Sequence, residues 1–203
     1  MSSVLYDTLL ATMQRVCRKS LQTHAGEQFY CVALYTSVDY AYIVDSLATD
    51  RGLRIMAERY LEDPRWKERW VSVDNAMREL RWSPCDSPWH CEFSAEFDAV
   101  QDVLDSIWAD VDMESESEVL STCDEIYNHC LNVLNSIRDS GLFDRDRVIF
   151  NILQGDQDDV SRVLSAEKLN SGDSLAAFRR ELGCDETSLE ARRTAEILSR
   201  QLH

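Results

Sequence analysis

QFYCVALYTSVDYAYIVDSL, residues 28–47, is the clearest run of strand-forming side chains in this 203-residue chain, and it predicts the central hairpin of the fold. Phe29 to Thr36 are nearly all β-branched, aromatic or small and apolar, the composition of a well-buried pleated surface. Ser37, Val38 and Asp39 make a short polar break. From Tyr40 to Leu47, Tyr40, Tyr42, Val44 and Ser46 alternate with Ala41, Ile43, Asp45 and Leu47, the pattern of a second strand. Tyr30, Tyr35, Tyr40 and Tyr42 could line one pocket, but cross-strand packing is the ordinary use of amphipathic tyrosines in a sheet and is the reading adopted. A later run, RVIFNIL at residues 147–153, predicts a further strand of the same sheet. The expected fold is therefore α+β: one domain over residues 1–203, with a small, mainly antiparallel sheet (29–36, 40–47, 148–153) covered by several helices.

Helical periodicity fills the rest. Val4, Leu5, Leu9, Met13, Val16 and Cys17 recur at helical spacing behind Ser2 and Ser3, giving a helix to about Thr23. Thr49 or Asp50 can cap a helix through Leu53 and Leu61 that Pro64 stops. Trp66 and Trp70, four apart, should face one way and plug the core, leaving Arg65, Lys67 and Arg69 in solvent. Proline breaks RWSPCDSPW, residues 81–89, into an extended loop or edge strand whose Trp82 and Trp89 fold back over the sheet. Ser94 can cap a helix striped by Phe97, Val100, Leu104, Ile107, Trp108 and Val111. A longer one carries Leu120, Cys123, Ile126, Tyr127, Cys130, Val133, Leu134 and Ile137, and the two should pair antiparallel. Three more follow: one around Val160 to Leu164, one capped by Asp173, and one opened by the Thr187–Glu190 capping box.

Only 3 prolines and 6 glycines occur and no repeat is visible, so nothing divides the chain. The start lacks a secretory pattern, and no run approaches the ~20 apolar residues of a membrane helix. Seven cysteines, an odd number lying largely within apolar patterns, read as reduced thiols and hence a cytoplasmic protein. The net charge of -16 is concentrated: residues 82–137 hold 13 acids and no lysine or arginine. Such a surface repels nucleic acid and anionic lipid, whose recognition needs cations, and favours a basic protein partner. Within it Asp98, Asp102, Asp105 and Asp112 fall at offsets of 4, 7 and 14, one line on a helix, with Glu116 close by. No base is interleaved to pair with them. This acidic ridge is the candidate binding site.

Chemistry is thinly signalled. Cys85, His90 and Cys91, like Cys123, His129 and Cys130, suggest zinc, but neither group has C-x-x-C spacing. Cys123 and Cys130 would also stand about 10 Å apart along one helix, against zinc–sulfur bonds of ~2.3 Å. No metal or cofactor is expected. Hydrolase, phosphate-loop and metalloprotease motifs are absent from the sequence. An enzyme is the lesser reading; its site would be a pocket of Tyr35, Asp39, Ser83 and His90 between the hairpin and the 81–90 loop, where Asp39 and Asp45 could act as a carboxylate pair.

FYCVALYT at 29–36, RWSP at 81–84 and GLF at 141–143 before RVIFNIL resemble, in that order, an uncharacterised bacterial family of unknown function. The resemblance spans nearly the whole chain and implies an α+β domain, with no activity or catalytic residue to carry over. In size and acidity the chain is also similar to immunity proteins that neutralise secreted bacterial toxins, which makes a basic toxin the expected partner.

Overall fold

The computed structural model describes residues 2–66, 68–155 and 157–201, with side chains described from 3 to 194. Lys67, expected in solvent, lies outside the described residues. Helix α1 (Ser2–Thr23) leads into strand β1 (Phe29–Thr36), which turns into β2 (Ile43–Thr49). Helices α2 (Asp50–Glu62), α3 (Val73–Leu80), α4 (Asp98–Ala109) and α5 (Glu116–Asp139) follow, then β3 (Ile149–Gln154) and helices α6 (Asp159–Glu167), α7 (Gly172–Glu181) and α8 (Glu186–Gln201).

The three strands lie in the order β2-β1-β3. β1 runs antiparallel to β2, with Leu34 opposite Asp45, and parallel to β3, with Leu34 opposite Ile152. The sheet is thus mixed rather than mainly antiparallel: the long helical passage after β2 brings the chain back to enter beside β1 in the same direction. The continuous burial of β3 from Ile149 to Leu153, Asn151 included, fits this, since a strand covered on both faces does not alternate. Val32, Leu34, Ile43, Leu47, Phe150 and Ile152 face α1, α4 and α5 across the main core. Cys31, Ala33, Ala48 and Leu153 face α2 and α3, while Ile149 packs under α6, α7 and α8. A register shift between Phe29 and Cys31 turns Tyr30 and Cys31 to the same side.

Helix α1 is the centre of the main core: Leu5, Leu9, Met13, Val16 and Cys17 are all buried. Truncating one of the leucines there to alanine would cost roughly 2–5 kcal/mol. Both α4 and α5 pack on α1, not chiefly on each other, so the expected antiparallel α4–α5 pair does not form. A stripe buried all along α1 offers each of them more apolar surface than they offer one another.

Local side-chain bonds moved other boundaries. Tyr40 to Tyr42 belong to the loop, not to β2: Ala41 N donates to Ser37 Oγ and Asp39 Oδ1, Thr36 Oγ1 donates to Tyr42 O, and Tyr40 adopts φ +55°. The four tyrosines are accordingly split, Tyr30 buried beneath Trp82 and Tyr40 in the α1 core, with Tyr35 beside Tyr42. Thr49 caps α2, its hydroxyl accepting from Gly52 N at 3.0 Å. Trp66 and Trp70 meet across a turn rather than along a helix, and only Trp70 is fully buried. Ser94 opens a 3-10 turn (Ser94–Phe97) without capping it, and Asp185, not Thr187, caps α8 by accepting from Ser188 N.

Both edges of the sheet are closed. Along β2, Ser87 Oγ donates to Leu47 O, Cys91 N donates to Asp45 O, and His90 bridges to Ser46. Along β3, Asn170 accepts from Phe150 N and donates to Phe150 O, while Ser165 Oγ donates to Ile152 O. These bonds hide the groups that would otherwise pair with another chain.

Candidate functional site

The carboxyl ends of β1 and β3 and the start of β2 share one end of the sheet. The 37–42 loop leaves from it and is held by two helices. Gln101 of α4 donates to Ala41 O, Trp108 Nε1 donates to Tyr40 O, and the Cys123 thiol of α5 points at Asp39 O at 3.8 Å. Loop, α4 and the first turns of α5 therefore form one continuous surface.

Carboxylates dominate it. Val100 and Leu104 bury the inner face of α4 against α1, which leaves Asp98, Asp102 and Asp105 exposed on the outer face. Among the described residues none of the three has a cationic partner; the nearby cations of α1, Arg15 and Lys19, both go to Glu96. Asp105 takes one hydrogen bond, from Gln101 Nε2 at 2.7 Å. The line stops there, because α4 ends at Ala109 and Asp112 lies in the following turn, accepting from Glu114 N while its own N–H goes to Glu118. Glu116 is exposed at the first position of α5. Asp98, Glu116 and Glu118 each sit at a helix N-terminus, where the macrodipole favours an acid, so local structure accounts for them. It does not account for Asp102 and Asp105. In the loop, hydrogen bonds from Ser37 and Ala41 hold the Asp39 carboxyl below its usual value, so it too is charged.

Three large apolar side chains stand exposed among these acids: Val38 at 74%, Met113 at 64% and Leu120 at 49%. Leu120 does not join the buried stripe of α5, which is fully covered only from Ile126 onward. Sequence periodicity missed all three as surface features, although Met113 and Leu120 were the apolar interruptions of an acidic run. Beside them a groove of about 300 Å³ passes between Tyr40, Asp124 and Tyr127 on one side and Gln154, Ser161 and Lys168 on the other. Lys168 Nζ lies 4.5 Å from the Tyr127 ring centre and fixes that wall.

The residues of the other sequence-derived pocket are only partly gathered. Tyr35 and His90 meet edge to face at 4.6 Å, and His90 Nδ1 lies 3.1 Å from Ser46 Oγ. Burial pushes His90 below its ordinary value, so the ring is neutral at pH 7. Ser83 lines a neighbouring cavity with Ser46, Asn151 and Trp82. Asp39 stands apart on the α5 side and makes no hydrogen bond to the other three. The Ser46–His90 contact is that of a hydroxyl with a base, but the cavity beside Ser46 measures about 20 Å³, room for roughly one water molecule.

Beneath the 87–93 strap runs a second set of ionisable groups. His24 Nε2 is 2.7 Å from Glu92, its Nδ1 is 3.8 Å from Glu27, and Trp89 covers its ring at 4.0 Å. Thr49 Oγ1 donates to Glu27 and accepts from Trp89 Nε1. Asp45 is fully buried and takes Phe93 N–H. Burial drives its carboxyl up to about 6, with the Glu92 charge acting the same way. This set fastens the strap to β2 and to the end of α1. Among the described residues, no three His, Cys, Asp or Glu side chains converge as metal ligands would.

No helix among the described residues is long and apolar enough to cross a membrane. No curated protein and no solved structure matches the chain. Residues 9–171, from within α1 to the connection after α6, match the family described as a domain of unknown function (DUF4303), and the chain belongs to that family.

Proposed function

We propose that this domain is a non-enzymatic binding module that captures a basic protein on the surface formed by the 37–42 loop, α4 and the start of α5. The observation that carries the reading is the setting of exposed Val38, Met113 and Leu120 among carboxylates without cationic partners. Apolar anchors with a charged surround are the make-up of an interface: the anchors supply affinity once desolvated, and the charges steer encounter. A toxin whose active site is cationic fits such a surface, and neutralising it would make this an immunity protein of bacterial cytoplasm, in keeping with seven free thiols.

Replacing Asp98, Asp102 and Asp105 together with lysine tests it. All three are exposed opposite the buried stripe, so circular dichroism should be unchanged. Wild type should capture from its host a basic protein that salt releases, and the triple variant should lose it through a slower association rate. Equal capture of the same protein by both at low salt would reduce the acids to a solubility feature.

The Ser46–His90 contact supports a second reading, a small hydrolase at the hairpin. It requires the 81–90 loop to lift, because Ser46 is buried. Labelling of Ser46 by a fluorophosphonate, abolished by His90→Ala, would favour it over the binding module.

A further inference from the structure

On the opposite face of the sheet, the turn after α2 gathers three aromatic rings. The indoles of Trp66 and Trp70 lie 5.8 Å apart with planes inclined by 23°, and Tyr60, near the end of α2, stands 5.6 Å from each. They wall a cleft of about 210 Å³ completed by Arg69, Glu79, Leu80, Ser83 and Asp86. Glu79 Oε2 accepts from Trp70 Nε1 at 2.8 Å, and Asp86 Oδ1 accepts from the Tyr60 hydroxyl. The second oxygen of each carboxylate has no hydrogen bond among the described residues.

The cleft already holds one cation in a weak grip. The Arg69 guanidinium lies 5.1 Å from the Trp70 ring centre and 6.0 Å from that of Trp66, and its Nε is 3.4 Å from Glu79. Its side chain is more than half exposed, and an exposed pair of this length contributes little. Among the described residues of the lining, one arginine stands against two carboxylates, a net charge of -1, so a further cation is welcome.

We propose that this cleft is a binding site for an alkylated ammonium group, free or at the end of a lysine side chain. The negative faces of the indole and phenol rings attract the charge, and their carbon surface takes the methyl groups. A fully alkylated ammonium has no N–H to leave unsatisfied, so it gives up less hydration than lysine would, while Glu79 and Asp86 balance its charge across the rim. Arg69 swings outward as the ligand enters.

The test compares choline with 3,3-dimethylbutan-1-ol, which has the same shape without the charge, by tryptophan fluorescence and calorimetry on the full chain. Choline should give a saturable change and the alcohol none. Trp66→Ala should weaken choline at least tenfold, and Glu79→Gln, at an exposed position that does not risk the fold, about threefold or more. Arg69→Ala removes the competing cation and should bind as tightly as wild type or tighter. A trimethyl-lysine peptide binding tenfold tighter than choline would identify a protein side chain as the source; equal affinity would identify a small molecule. No saturable response to choline in either wild type or the Arg69 variant, an equal response to the alcohol, or undiminished binding by both Trp66→Ala and Glu79→Gln would overturn the proposal.

Discussion

Replacing Asp45 with asparagine should stabilise this protein at pH 7.5 and bring little or no gain at pH 4.5. Asp45 is fully buried on β2, opposite Leu34 and facing α1, and burial raises its carboxyl from 3.8 to about 6. A raised carboxyl pKa means that the folded state binds the proton more readily than the unfolded one, so the group penalises folding above about pH 6 and the penalty fades as pH falls toward 4. A gap of roughly two pH units corresponds to about 3 kcal/mol at pH 7.5, falling to about 1 kcal/mol at pH 4.5. Asparagine removes the charge and can still accept from Phe93 N–H. Its new amide hydrogens cost about 1–2 kcal/mol if left without acceptors, equally at both pH values. The difference between variant and wild type should therefore shift by about 2 kcal/mol between the two conditions, roughly 4–8 °C in Tm for a domain of this size. Thermal unfolding of both proteins by circular dichroism at pH 4.5 and 7.5 measures it. The general relief of acidic self-repulsion at low pH affects both alike and cancels. A Tm difference independent of pH would mean that Asp45 is not held ionised against its burial at pH 7.5, and the reasoning would fail.

Thr49 joins three elements, capping α2, donating to Glu27 and accepting from Trp89, so Thr49→Val should cost about 2–3 kcal/mol, read as a lower urea midpoint, and serine should restore most of it. In native protein a thiol reagent should modify exposed Cys85 first, whereas Cys17, Cys31 and Cys130, buried and pushed up to about 12 by desolvation, should react only after denaturation. Rapid native labelling of any of those three would refute their placement in the core.

Part of the local structure is legible in the sequence. The strand Phe29–Thr36, helix α1 to Thr23, the Thr49 cap and the end of α2 before Pro64 all stand where propensity and capping put them. Helix α3 carries its own signal, Ser72 as cap and Val73, Ala76, Met77 and Leu80 at helical spacing, in a stretch too short to stand out beside the tryptophans before it. The start of β2 misled because Tyr40 and Tyr42 alternate like strand residues, while Ser37 and Asp39 side chains bind the backbone more favourably in a turn. The direction of β3 and the pairing of α4 with α1 are tertiary outcomes, set by which apolar faces compete for which, and a linear pattern records only that such faces exist. The same limit holds at the candidate site. Acids could be counted along the chain, but that the 37–42 loop docks on the first turns of α5 follows from the Cys123–Asp39 contact, which no spacing encodes.

The closure of both sheet edges narrows how any partner can be recognised. Ser87, His90 and Cys91 occupy the outer side of β2, and Asn170 and Ser165 occupy that of β3, so an incoming strand would find few free backbone groups to pair with. Helices cover both faces. Recognition must then use side chains on helix exteriors and loops, and of those surfaces the one around α4 combines charge without counter-charge and apolar groups without cover. Side-chain recognition by exposed carboxylates depends on salt over the Debye length of about 10 Å at 0.1 M, whereas backbone pairing would hardly respond. A partner whose capture is indifferent to ionic strength would have to use the apolar trio alone, and then Leu120→Ser, not charge reversal, would be the change that releases it.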